Sequence, residues 1–398
     1  MRKMAEKATI REYFGLQRPS FMLDPQNDYE CYAGRTDEKN LLVDRIQAAS
    51  DVESAPRLVL WGVYGGGKTH TQFYAGKKLL KEYGNDSIYV ICPDLARNAA
   101  FLDLYKEILM AMGSSKVKSL LQKYLLKVGD LKFKGFFANQ DTANVCLKLV
   151  LATEGGEDFI RAWRWLSGEQ VSASESITLG ATSALSPRES ARFLIKLGGI
   201  YNEIGKKRLV LLIDECEKLV DVTDQYAIGT FTTAFREISE KLQRYLGFIC
   251  ACTAVDYEKI AAPFNLGAVS GRIGEGNYLQ ISHIRDEELK PFMKDLLSYV
   301  MDPKEREKRI KRLKEKGTVV NPDFYPFTEE AIDRIAQHVA EDPRRKTPRT
   351  ISDLLNDSAT EAKKLAKDIV DEEALLNAIK KQEKAPKPDE KTLRRRRS

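Results

Sequence analysis

The sequence predicts a three-layer α/β fold, a parallel sheet with helices on both faces. Three observations carry that expectation. Three short runs, "RLVLWG", "RLVLLIDE" and "YLGFICACTA", are almost wholly apolar, as strands buried on both faces must be. Between the runs, apolar residues recur at spacings of three and four, the period of helices packed on a sheet. The first run feeds straight into a glycine cluster and then into helical sequence.

Taken in order, residues 1–29 are a mixed lead-in with the turn signals "RPS" and "LDPQND". In "YAGRTDEKNLLVDRIQAA" the spacing of Leu41, Leu42 and Ile46 predicts an amphipathic helix starting near Thr36. The strand "RLVLWG", the glycine loop and a helix through "HTQFYAGKKLLKEYG" follow, and "SIYVICPDL" reads as a second buried strand. Four helical stretches come next: "FLDLYKEILMAM", "VKSLLQKYLLKV", "ANVCLKLVLAT" and "DFIRAWRWLSG". "RLVLLIDECEKL" and "YLGFICACTA" are then two further strands of the sheet.

After Ile284 the texture turns charged and helix-prone, as in "MDPKEREKRIKRLKEKG" and "TEEAIDRIAQHVAED". These shifts divide the chain into a lead-in (1–29), an α/β domain (30–284) with a helical insertion at about 113–200, a helical domain (285–380) and a basic disordered tail (381–398).

Composition narrows the function classes. At 43% hydrophobic and 31% charged, the 398 residues describe a soluble protein, and no run is long enough to span a membrane. "MRKMAEKATI" is basic but lacks the apolar segment of a signal peptide, so a cytoplasmic protein is expected. The six cysteines form no CxxC pair and fit reduced core thiols. Three scattered histidines argue against a zinc site. From Lys380 to Ser398 there are nine basic and three acidic residues, a net of +6 that equals the net charge of the whole chain, so residues 1–379 are formally neutral.

The glycine cluster has a specific reading. Gly62, Val63, Tyr64, Gly65, Gly66, Gly67, Lys68 and Thr69 fit GxxxxGK[ST], with a strand before and a helix through His70 after. Such a loop turns backbone N–H groups inward around phosphates, and the helix adds its positive dipole end. Lys68 would reach the β- and γ-phosphates, and the Thr69 hydroxyl would hold Mg²⁺. "LVLLIDE" delivers Asp214 and Glu215 to the carboxyl end of a strand, where parallel sheets bind their ligands. Asp214 would hold Mg²⁺ through water and Glu215 would polarise the attacking water. Together the two motifs predict ATP binding and hydrolysis with Mg²⁺.

The order of motifs resembles the AAA+ superfamily of P-loop ATPases, in particular its origin-recognition and replication-initiator branch. "YAGRTDE" resembles the GR-x-x-E lead-in of that branch, and the two phosphate-site motifs follow in its order. "FICACTA" resembles the sensor 1 strand and places Thr253 beside the γ-phosphate. "VSGRIG" resembles the box of the arginine finger, pointing to Arg272, with a surface arginine in a glycine-rich loop as the alternative. "TPRTISDLL" resembles the sensor 2 helix of the lid, pointing to Arg349, with a solvated basic turn as the alternative. The resemblance implies a three-layer AAA+ core with a C-terminal helical lid. Where initiators of that branch carry a winged-helix domain, the sequence after the lid reads as a tail. "RAWRWLSGEQVS" and the DE-x-E-x-L pattern from Asp214 to Leu219 are similar to ATPases of phage-exclusion (BREX-type) defence systems, although packing of an amphipathic helix also explains Trp163 and Trp165.

The function this implies is an ATP-driven switch acting on or near DNA, as a defence-system ATPase or an initiator-like assembly factor. The expected partners are other copies of the chain, DNA, and a protein of a multi-component system, with no membrane. The alternative is a signalling ATPase that regulates a protein partner without DNA contact.

Overall fold

A computed structural model describes residues 8–95, 100–137, 139–222, 224–240 and 244–384. It divides into two compact units. One holds 36–64 and 68–282, and the other holds the N-terminal residues through Arg35, Gly65–Gly67 and the residues from His283 onward. The basic tail, after the four residues that finish the last helix, lies outside the described residues.

The first unit is built on five strands: β1 (Arg57–Gly62), β2 (Asn85–Ile91), β3 (Arg208–Asp214), β4 (Leu246–Thr253) and β5 (Tyr278–Gln280). All neighbours are parallel, in the order β2-β3-β4-β1-β5. The central strands show why their sequences are unbroken apolar runs. Leu209, Leu211 and Ile213 of β3 join a core with Phe248, Cys250 and Cys252 of β4. The alternate residues Val210 and Leu212 are equally buried. On that side the helical stretch after β1 packs so close that a Cβ at Gly76 would lie 2.4 Å from Leu212 Cδ1. Strands covered on both faces have no place for polar alternation.

Among the described residues, seven helices lie between β2 and β3, from Phe101–Met112 to Pro187–Gly205. Aromatic contacts join the first of them to later elements of the unit: Phe101 meets Phe231 and Phe235 edge-on, and Phe235 meets Phe248 and Phe264. Trp165 is a core residue, 2% exposed, whose indole Nε1 donates to Ser183 O at 2.9 Å. All six cysteines are buried and unbridged, and burial pushes the Cys92 thiol up to about 12.

The second unit is a helical bundle, Leu289–Val300, Pro303–Glu315, Glu329–Ala340, Pro348–Lys364 and Glu372–Lys384. Its helix starts are written in the sequence. Asp302 and Thr347 each cap a helix through a side-chain oxygen, and a proline follows at the first helical position. Residues 8–29, read from the sequence as a lead-in, and residues 30–35, read as the start of the α/β domain, are part of this bundle. Phe14 and Phe21 are fully buried with Phe292, Met293 and Leu354, and Gln17 N donates to Val300 O.

Candidate functional site

Three strands of the first unit end at one pole of the sheet, and each delivers a residue marked in the sequence. Gly62 ends β1 and stands opposite Thr253, which ends β4. Asp214 ends β3, whose Ile213 stands opposite Cys250. Gly62 has to be glycine: its φ is +154°, and a Cβ there would lie 2.3 Å from Ile281 O. Gly65 and Gly67 also take positive φ, +73° and +95°. The loop then enters the helix Lys68–Tyr74.

Lys68 is 8% exposed, and its ammonium donates to Gly62 O (3.1 Å) and Val63 O (2.9 Å). Tyr64 points to solvent and His70 is half-buried. Thr69 Oγ1 donates to Asp214 Oδ2 at 2.6 Å, joining residues 145 positions apart. Asp214 is buried, and it also accepts from Tyr89 Oη at 3.0 Å and from Glu215 N at 2.9 Å. Burial raises the Tyr89 phenol above its ordinary pKa, and the Asp214 carboxylate adds to the shift, so Tyr89 stays a donor. Gln72, fully buried, spans two strands by donating to Ile213 O and Ile249 O.

Glu215 has a left-handed backbone, φ +56°, which costs a non-glycine residue free energy and turns its side chain out of strand direction. Its carboxylate lies 3.0 Å from Lys218 Nζ, which also pairs with Asp94 at 2.8 Å. Burial pulls the Lys218 pKa down, but Asp94 and Glu215 outweigh it and leave the ammonium held above its ordinary value. Glu217 serves a different residue. It accepts from Thr253 N (2.9 Å) and Thr253 Oγ1 (2.7 Å), fixing the end of β4.

Arg272 lies elsewhere in this unit. It sits in the helix Gly267–Ile273, where Nε donates to Glu240 (2.9 Å) and Nη1 to Ala268 O (2.7 Å). It lines a cavity with Arg57, the first residue of β1, so it is near the opposite pole of the sheet from Gly62. In the helical unit, Arg349 is the second residue of the helix capped by Thr347, and its Cβ lies 3.5 Å from where a Gly65 side chain would begin. In the same unit the buried Arg35 donates through Nη1 to Gly66 O.

The arrangement therefore brings together Gly62, Lys68, Thr69, Asp214, Glu215 and Thr253, and it leaves Arg272 apart from them. Gln72 was not marked in advance, and Arg35, Glu217 and Lys218 lay in quoted motifs with no partner assigned to them. The donor set fits a magnesium nucleotide. A hydroxyl and a carboxylate already share a hydrogen bond at the mouth of a glycine loop, and a buried ammonium rests on neutral carbonyls that a phosphate would outbid.

No family model matches the sequence, and no curated protein matches it. Solved structures do. The Aeropyrum pernix ORC2 protein, determined as ADPNP–ADP complexes, is similar with a TM-score of 0.51 and 13% identity over 94% of this chain and 74% of that one. Cdc6p from Pyrobaculum aerophilum gives 0.49 and 13%, over 92% and 72%. The Aeropyrum pernix ORC1 protein in complex with DNA gives 0.45 and 11%, over 88% of this chain and 65% of that one. The chain thus spans somewhat under two thirds of the ORC1 structure. Among the described residues no helix is long and apolar enough to cross a membrane. The all-parallel five-stranded sheet and the likeness to ORC2 show that the chain has the three-layer α/β fold of AAA+ ATPases.

Proposed function

We propose that the chain binds ATP with Mg²⁺ and hydrolyses it, as an initiator-like switch that acts on or near DNA in the cytoplasm. The observation that carries the ATPase reading is the Thr69–Asp214 hydrogen bond, which places the two metal-holding groups at the exit of a glycine loop. Gly62 to Gly67 cradle the phosphates, Lys68 binds the β- and γ-oxygens, and Thr69 and Asp214 hold the metal. Mg²⁺ would neutralise charge on the phosphate oxygens and leave the γ-phosphorus open to attack. Glu215 takes the proton of the attacking water, and Thr253, fixed by Glu217, orients that water from β4.

Arg272 and Arg349 supply positive charge to the transition state, Arg349 from the helical domain (285–380) acting as a lid and Arg272 from a neighbouring copy. The separation of Arg272 from its own Lys68 pocket supports action in trans, and hence a homo-oligomer. Mixing inactive Lys68→Ala protein with inactive Arg272→Ala protein is expected to restore part of the ATP turnover, because one interface then pairs an intact pocket with an intact arginine. No recovery at any mixing ratio, with specific activity independent of protein concentration, returns Arg272 to a surface role.

The DNA reading draws on the resemblance to initiators and on the basic tail from residue 381. A binding titration of duplex DNA at several salt concentrations, with and without ATP, tests it. Binding that weakens with salt by a slope of about −0.9 per phosphate contact is expected. No binding at low salt, even with ATP, gives the function to a protein partner within a multi-component system, defence or signalling. A formally neutral body favours that second reading.

A further inference from the structure

We infer that the helix Pro303–Glu315 is a nucleic-acid contact surface, which holds the phosphate backbone through Lys304, Lys308, Lys311, Arg312 and Lys314. The inference rests on the reading of this chain as one that acts on or near DNA, and it names the surface that does so. Residues 303–316 include eight basic and three acidic residues, a net of +5 within a body, 1–379, that is formally neutral. The helix is thus a local concentration of positive charge that the neutral total conceals.

The fold sorts these cations into two sets. Ile310 and Leu313 turn into the core of the helical unit, and Asp302 caps the helix by accepting from Lys304 N and Glu305 N. The first set is spent on the unit itself. Arg309 donates to Glu12 O at 3.0 Å and to Glu305 at 3.2 Å, Arg306 donates to Pro322 O, and Lys316 pairs with Asp368 at 2.6 Å. The second set faces outward. Lys304, Lys308, Lys311, Arg312 and Lys314 are all exposed. Of these five, among the described residues, Lys308 alone has an acid within ion-pair reach, Glu305 at 3.6 Å. At 3.6 residues per turn, Lys304, Lys308 and Lys311 fall within about 60° of one another around the axis, with Arg312 and Lys314 to either side.

The make-up of this face selects its partner. Apart from Pro303, every exposed residue of the helix is charged. The face therefore offers no apolar side to sink into a membrane and no aromatic anchor for a protein interface. Cations three or four residues apart stand about 5–6 Å apart at Cβ, and Lys304 to Lys314 covers about 15 Å of the axis. A duplex carries about one charge per 1.7 Å of its own axis, so it meets several of these cations at once and releases counterions as it does. The helix dipole accounts for Arg312 and Lys314 in the last turn. It disfavours a cation at Lys304, the second helical residue, so that charge does not serve the helix itself.

The test combines Lys304→Ala, Lys308→Ala, Lys311→Ala and Arg312→Ala in the full chain and titrates a labelled duplex at several salt concentrations. The four side chains are exposed and alanine is the best helix former, so the fold should be kept, as circular dichroism checks. Should it be lost, glutamine at the same four positions gives the same comparison. Affinity at low salt is expected to fall at least about tenfold, and the salt slope to flatten by about 0.9 for each phosphate contact removed. In the opposite direction, Glu307→Gln with Glu315→Gln is expected to tighten binding, which a merely structural role of the helix would not produce. ATP turnover without DNA should be unchanged in both variants. Equal affinity and slope for the fourfold variant and the wild type overturns this surface and leaves the DNA reading to rest on the tail. No duplex binding by the wild type at low salt overturns the surface and the DNA reading together. Poly-glutamate bound by the wild type as tightly as the duplex reassigns the helix to an acidic protein and overturns the nucleic-acid assignment.

Discussion

Lys68→Ala protein is expected to lose ATP binding while keeping its fold. Lys68 is a buried ammonium held by two carbonyl oxygens of its own loop, so in the wild type it is already fixed along that loop. Truncating one partner of a buried charged hydrogen bond costs roughly 2–5 kcal/mol of binding. That range corresponds to a rise in Kd of roughly thirty-fold to several thousand-fold. Removing the side chain also frees Gly62 O and Val63 O, which water at the loop mouth can satisfy, so stability should change little. Calorimetric titration with ATP checks the binding, and circular dichroism checks the fold.

Glu215→Gln protein is expected to behave in the opposite way, binding ATP as the wild type does and failing to turn it over. A glutamine keeps the size and polarity of the side chain but accepts no proton from water, and removal of a general base costs roughly 10²–10⁴ in rate. The left-handed backbone of Glu215 holds the side chain off the strand axis whichever residue is present, so the substitution leaves the placement intact. Lys218 and Asp94 shape the ground state of this carboxylate. The Lys218 ammonium lies 3.0 Å from it and holds its position. Glu217, which is occupied by Thr253, is the control: its replacement should disturb the end of β4 rather than remove a base.

The sheet and the glycine loop were legible in the sequence for one physical reason. Strands covered on both faces leave unbroken apolar runs, and a tight loop with left-handed backbone leaves glycines. β1, β3 and β4 carry the first mark, and Gly62 to Thr69 the second. β5 was missed because three residues, Tyr278–Gln280, are too short for any period to show. The pairing of Glu217 with Thr253 joins residues 36 positions apart, and the donation from Gln72 to Ile213 O spans 141. No local pattern records such contacts. The DE-x-E-x-L pattern marked Glu217 as present without saying what it would hold. The place of residues 8–35 in the helical unit was equally hidden, since Phe14 and Phe21 are isolated aromatics among turn signals rather than members of a periodic stripe.

The role of the glycine loop and the β3 acids is tested most directly by following one turnover of ATP on Glu215→Gln protein in the presence of Mg²⁺, with bound nucleotide and released phosphate measured together. The predicted result is one ATP held per chain, with phosphate release slowed at least about 100-fold relative to wild type. Phosphate release at the wild-type rate, or no saturable ATP binding by either protein, would contradict it.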